Sequence, residues 1–133
     1  MNRSFKDSNL KQAVALPNAA ATVNTNSIDL GAADGYPSTG KFAVRLSTTA
    51  ATGANDKNIT AVLQGSNEAA ANFTNISELA SVVINEGSSA YAATNRDVTL
   101  PPGFAKRYIR ASATGEANGG DASDGTLTVE LLF

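Results

Sequence analysis

The chain has 133 residues, with 10 lysines and arginines against 12 acids and a formal net charge of −2, which is the size of one domain with no global field to recruit nucleic acid or an anionic membrane. It contains neither cysteine nor histidine, so disulfides, thiolate chemistry and Ser-His-Asp or Cys-His catalysis are excluded. A hydrophobic share of 42% beside a charged share of 17% indicates a folded protein. Much of that share is alanine, so the core is expected to be thin.

The chain opens on "MNRSFKDSNLKQ", where cations have no apolar run behind them, and this reads as a start without a secretory signal. Residues 1–12 lack any period and are read as an extended arm. Arg3, Lys6 and Lys11 supply charge, and Phe5 and Leu10 apolar anchors; the segment is either a frayed terminus or an arm that orders against a neighbour.

Residues 13–133 are read as a single all-β domain. "QAVAL" places Val14 and Leu16 on one face, and "NSIDL" places Ile28 and Leu30 around an outward Asp29. "KFAVRLST" alternates cleanly, with Phe42, Val44 and Leu46 inward and Lys41, Ala43, Arg45 and Ser47 outward. "NITAVLQGS" offers Ile59, Ala61 and Leu63. In "SNEAAANFTNISELAS", Thr74, Ile76 and the asparagines depress helix propensity, so a turn or short helix is expected before the strand "SVVIN". "RDVTL" sets Val98 with Leu100, "RYIRASA" sets Ile109 with Ala111 and Ala113, and "GTLTVELLF" sets Leu127, Val129, Leu131 and Phe133 inward, with Thr126, Thr128 and Glu130 outward. About eight short antiparallel strands fit a β-sandwich of the jelly-roll type. No segment reaches the roughly 18 to 20 apolar residues of a membrane-spanning helix.

The loops at 31–40, 48–58 and 115–125 concentrate Gly, Asn, Asp and Ser and are expected to be exposed. Glu116, Asp121 and Asp124 share the last of them. Their spacing matches no known calcium loop, so a solvated hairpin loop is preferred over a cation site, and no metal or other cofactor is expected. The sequons at Asn58, Asn72 and Asn75 are attributed to composition. Scattered acids, no tryptophan and 6% aromatics speak against a glycosidase cleft, and no enzymatic activity is expected.

The distinctive run is "LPPGFAKRYIRASAT". Pro101 and Pro102 should stop one strand, and Gly103 should turn the corner into the next. On that strand Lys106, Tyr108 and Arg110 are expected to form an outward cationic and aromatic row of the kind enriched at interfaces. Arg107, with the parity of Ile109, should lift its head into water.

The order of "ALPNAAATVNTNSIDLG", "KFAVRLST", "VLQGSNEAAANF", "VTLPPGFAKRYIRASAT" and "GTLTVELLF" resembles the small cement, or decoration, proteins of tailed-bacteriophage capsids, the group typified by the cement protein of a Bordetella phage. The likeness spans roughly Ala13 to Phe133. It implies a jelly-roll-like sandwich that assembles as homotrimers on the outer surface of the phage head, made in the bacterial cytoplasm, with the major capsid protein as partner. It carries no catalytic residues. The expectation is a virion structural protein whose contacts come from Arg3, Phe5, Lys6, Leu10, Lys11, Lys106, Tyr108 and Arg110. The alternative is a receptor- or glycan-binding β-sandwich module of a tail fibre or cell surface, which would need an exposed aromatic platform drawn from Tyr36, Tyr91, Tyr108 and the phenylalanines.

Overall fold

A computed structural model describes residues 10–30, 42–54, 57–76, 81–85, 90–100 and 106–132. These residues form twelve strands: β1 (Lys11–Ala15), β2 (Thr22–Asn24), β3 (Ile28–Asp29), β4 (Phe42–Thr48), β5 (Ala51–Thr52), β6 (Asn58–Ser66), β7 (Thr74–Asn75), β8 (Ser81–Asn85), β9 (Ala90–Tyr91), β10 (Thr94–Leu100), β11 (Tyr108–Gly115) and β12 (Thr126–Leu132). All eight runs expected from alternation are present. The additional strands are two or three residues long, too short to show a period.

One sheet has the order β1-β12-β4-β10. In the other, β11 and β6 form the centre, β2 and β3 lie beyond β11, and β7 and β8 lie beyond β6; β5 and β9 pair as a separate ribbon. Every pairing is antiparallel. With β2 and β3 taken as one interrupted strand and β5, β7 and β9 set aside, eight strands remain. They run first-eighth-third-sixth in one sheet and second-seventh-fourth-fifth in the other, which is jelly-roll order,.

The inward rows agree with the sequence. Val44, Leu46, Val98, Leu127, Val129 and Leu131 of the first sheet join Ile59, Ala61, Leu63, Ile109, Ala111 and Ala113 of the second in one buried cluster. Ala113 lies opposite Ala61, and Ala111 opposite Leu63. Half of the inward row of β6 and β11 is therefore alanine, whereas the six residues from the first sheet are all valine and leucine. The last strand is interior, between β1 and β4, as its apolar row requires. Phe133 itself and the corner at Pro101–Gly103 lie outside the described residues.

Glu130 departs from expectation. It has outward parity, yet only 9% of it is exposed. The register places it between Lys11 and Arg45, and Arg45 opposite Asp97, so one row of alternating charge crosses all four strands. Arg45 closes the row on Asp97 with two hydrogen bonds, 2.7 and 3.0 Å. That contact raises the arginine above its ordinary pKa and holds the aspartate below the usual carboxylate range.

Two irregular segments shape the outer face of the second sheet. Asn24 pairs with Ser112 and Ile28 with Ile109, so the three residues 25–27 oppose only 110 and 111, and the extra residue makes a bulge. Thr25 spans the gap. Its backbone N–H donates to the Ala111 carbonyl, and its Oγ1 accepts the Ala111 N–H, each at 3.0 Å. The second segment, 67–71, is a series of bends with no helical turn. Ser66 Oγ donates to the Ala71 carbonyl at 2.6 Å and accepts the Glu68 N–H at 3.0 Å. Asn72 follows at φ 57°, a left-handed conformation that asparagine tolerates, and donates to Glu68 at 2.8 Å.

Thr25→Val keeps the shape of this buried side chain and removes the acceptor from the Ala111 N–H. It is expected to cost about 1–3 kcal/mol, the penalty for a buried unpaired donor. Urea denaturation of the two proteins measures the difference.

Candidate functional site

The residues expected to act together fall into separate places. Arg3, Phe5 and Lys6 lie outside the described residues. Leu10 and Lys11, assigned to the arm from sequence, belong to the folded domain: Leu10 packs against the core and Lys11 opens β1 opposite Glu130. Lys11 thus lies on the outer face of the first sheet, whereas Tyr108 and Arg110 lie on that of the second.

The row around β11 also differs in composition. The chain bends at Arg107, and the strand begins only at Tyr108, so the alternation does not extend back to Lys106. The stem of Lys106 runs on the inward side of β6: a Cβ built on Gly65 would stand 3.1 Å from Lys106 Cγ and 3.0 Å from Ile76 Cδ1. Arg107 takes the outward place instead. Its Nε and Nη2 donate to the two carboxylate oxygens of Asp29 at 3.1 and 3.2 Å. Its guanidinium lies 5.0 Å from the centre of the Tyr108 ring. The outward row is therefore Arg107, Tyr108 and Arg110, and Arg107 is paired, not simply solvated.

Arg110 is held from two sides. Nε donates to Gln64 Oε1 at 2.9 Å, and Gln64 Nε2 donates in turn to Asn75 Oδ1 at 3.0 Å. The guanidinium lies 4.1 Å from the centre of the Phe73 ring, a cation–π distance. Burial alone lowers its pKa from the ordinary arginine value. The bulge and the bent segment rise on either side, joined where Ser27 Oγ donates to the Ala69 carbonyl at 3.0 Å. Between them is a cleft of about 380 Å³ lined by Thr25, Asn26, Ser27, Ala69, Ala70, Phe73 and Arg110. Sequence reasoning found Arg110 and missed the cleft, because its walls meet only through the packing of distant segments. The signal available was the polar run "NTNS" at 24–27, too polar and too poor in pattern to be a continuous strand.

The loop at 115–125 is pinned where solvation was expected. Asp124 accepts from the Thr52 N–H at 2.9 Å and from Thr52 Oγ1 at 2.7 Å. Glu116 accepts the Asn58 N–H at 2.9 Å, and Asp121 the Ser123 N–H at 2.9 Å. Each carboxylate serves its own backbone contact, and among the described residues no group of three acids forms a cation site. Gly119 accepts the Ala54 N–H at 3.1 Å and the Tyr91 hydroxyl at 3.5 Å. Tyr91 is 1% exposed, and a Cβ on Gly53 would collide with its ring. It cannot contribute to an aromatic platform, and Tyr36 lies outside the described residues.

No family model and no curated protein matches the chain. Among solved structures, it is similar to the enzymatically active domain of bacteriophage CBA120 tailspike protein 4, at 13% identity and a TM-score of 0.43 over 91% of this chain. A structure of infectious bursal disease virus, Gx strain, gives 12%, 0.44 and 96%. The carbohydrate-binding module TmCBM61, in complex with β-1,4-galactotriose, gives 13%, 0.41 and 97%. The chain spans 15% of the tailspike chain, 32% of the virus chain and 86% of the carbohydrate-binding module. Likenesses this distant carry no argument about activity.

The contact between Asp124 and Thr52 holds the carboxyl below the usual carboxylate range. A pKa depressed by folding stabilises above the unfolded value, and that stabilisation is lost as the pH falls through the folded one. Asp124→Asn is therefore expected to be less stable than the parent at neutral pH, and the gap should close as acid is added. Thermal unfolding of both proteins across the acid range checks this; a constant gap refutes the linkage.

Proposed function

We propose that this chain is a non-catalytic structural module of a virus particle. In this reading it is a cement protein that binds the outside of a tailed-phage head as a homotrimer and bridges major capsid subunits. The sequence resemblance supplies the family. The observation that supports adhesion is the distribution of charge over the folded domain.

Most carboxylates of the described residues are engaged within the chain. Asp97 holds Arg45, Asp29 holds Arg107, Asp124 holds Thr52, and Glu116, Asp121 and Glu68 each accept an internal hydrogen bond. Arg110 makes no ion pair among the described residues. Although the formal charge is negative, the outer face of the second sheet thus offers an uncompensated, half-buried guanidinium beside Tyr108. Arginine and tyrosine are the residue types that dominate interface energetics, and rigid placement lowers the ordering cost of using them. Many weak copies on one shell then act together.

A glycan- or receptor-binding module of a tail fibre or cell surface is the second reading. The cleft beside Arg110 favours it, while the burial of Tyr91 removes one of the aromatic residues that a stacking platform would use.

Purified protein mixed with expanded heads that lack it is expected to co-sediment and to saturate at a stoichiometry set by the shell's symmetry. Light scattering should report a trimer. Tyr108→Ala combined with Arg110→Gln is expected to weaken attachment by about tenfold or more, with circular dichroism unchanged. Absence of binding by the parent protein overturns the proposal.

A further inference from the structure

Three arginines lie on the outer faces of the two sheets with ordered side-chain partners, and they are not alike. Arg45 and Arg107 each use Nε and Nη2 to grip both oxygens of an aspartate. Arg110 is held comparably firmly, by Gln64 at Nε and by the Phe73 ring, but a neutral amide stands where the others have a carboxylate. Its two terminal amino groups donate to no atom of the described residues. The fork is thus oriented and partly desolvated, and its charge is unanswered. A guanidinium in that condition matches a planar carboxylate with two parallel hydrogen bonds.

The surroundings narrow the bearer of that carboxylate. The cleft of about 380 Å³ is at the lower end of the roughly 300–1,000 Å³ typical of small-molecule sites. A single acidic side chain would leave most of it empty. Asn26 is exposed at its rim with a carboxamide that both donates and accepts,, while Ala69, Ala70 and Phe73 present apolar surface. Hydroxyl-matching groups on one side and methyl-sized apolar groups on the other suit a ring with polar edges and a C–H face. One cation suits one negative charge.

We propose that this cleft binds an acidic sugar of the hexuronic-acid class, with Arg110 anchoring the carboxylate, Asn26 facing the ring hydroxyls, and Ala69 and Ala70 against the ring's C–H face. Gln64 and Asn75 are positioning residues that hold the fork in place. The site shares Arg110 with the proposed shell contact, but the cleft itself lies within one chain and requires neither the trimer nor the capsid partner.

The test is a titration of isotope-labelled protein, followed by amide NMR shifts, with the methyl glycosides of glucuronic and galacturonic acid. The neutral methyl glucoside and galactoside serve as matched controls. At least one hexuronate should cause saturable shifts confined to 25–27, 64, 69–73 and 110, with the neutral sugars at least about tenfold weaker and added salt weakening the response. Arg110→Gln should reduce affinity by about tenfold or more. Ala70→Trp, which keeps the charge and fills the cleft from an exposed position, should do the same, and keeps the test valid if the arginine variant folds poorly. Absence of saturable shifts with both hexuronates overturns the proposal. So do equal binding of the neutral sugars, unchanged binding by Ala70→Trp, or shifts at these residues with a glutamate-containing peptide but neither hexuronate. Ala70→Trp that loses sugar and still co-sediments with heads separates this site from shell attachment.

Discussion

The outer face of the second sheet depends on one exchange of hydrogen bonds, between Thr25 and Ala111. A strand that runs along β11 cannot gain a residue without leaving a donor or acceptor of its neighbour unmatched, and in the interior that loss is costly. Here the threonine hydroxyl takes the place of the missing backbone carbonyl, 3.0 Å from the Ala111 N–H. The edge can then lift away at 25–27 while Ala111 remains fully buried and the apolar row beneath it is undisturbed. The same departure leaves room above Arg110. The irregularity of the surface is accommodated without disturbing the core.

Electrostatics divide the molecule in a related way. The acids act inward, on loop amides and on two of the arginines, so Thr52 and Asn58 are fastened to the loop at 115–125. On the outer face of the second sheet, Arg110 makes no ion pair among the described residues and is held by an amide and an aromatic ring. A formal charge of −2 says little about such a surface, because a carboxylate already engaged projects much less field than a free one. The local sign is set by which charges are left over.

Much of the fold was legible because period-two alternation reports burial directly: Val44 and Leu46, Ile59, Ala61 and Leu63, Ile109, Ala111 and Ala113, and Leu127, Val129 and Leu131 all face the core. The site was legible only in part. Parity carried Tyr108 and Arg110 to the correct face but failed at Lys106 and Arg107, because the chain bends one residue before β11 and alternation holds only within a strand. Glu130 was read as outward from its parity, which was right, but parity does not report its burial; its register neighbours are on two other strands. Phe73 beside Arg110, Thr52 beside Asp124 and Tyr91 beneath Gly53 are meetings of distant segments, for which no local pattern exists. The alanine-rich bend at 67–71 is ordered by Ser66 and Asn72, whose polar groups satisfy the backbone where a helix would have used its own.

The charged row across the first sheet has a consequence for how the chain finds its pairing. Along β12 and β4 the apolar faces alternate so evenly that a shift of either strand by two residues would still hide its greasy side. Such a shift would slide Glu130 from Arg45 to a position opposite Ala43 or Ser47, and a nearly covered carboxylate would be left facing an alanine or a serine. Lys11, Glu130, Arg45 and Asp97 therefore act as a four-digit address. The digits agree only when every strand is in its native register, and so separate the true alignment from its near neighbours, which hydrophobicity alone would score alike.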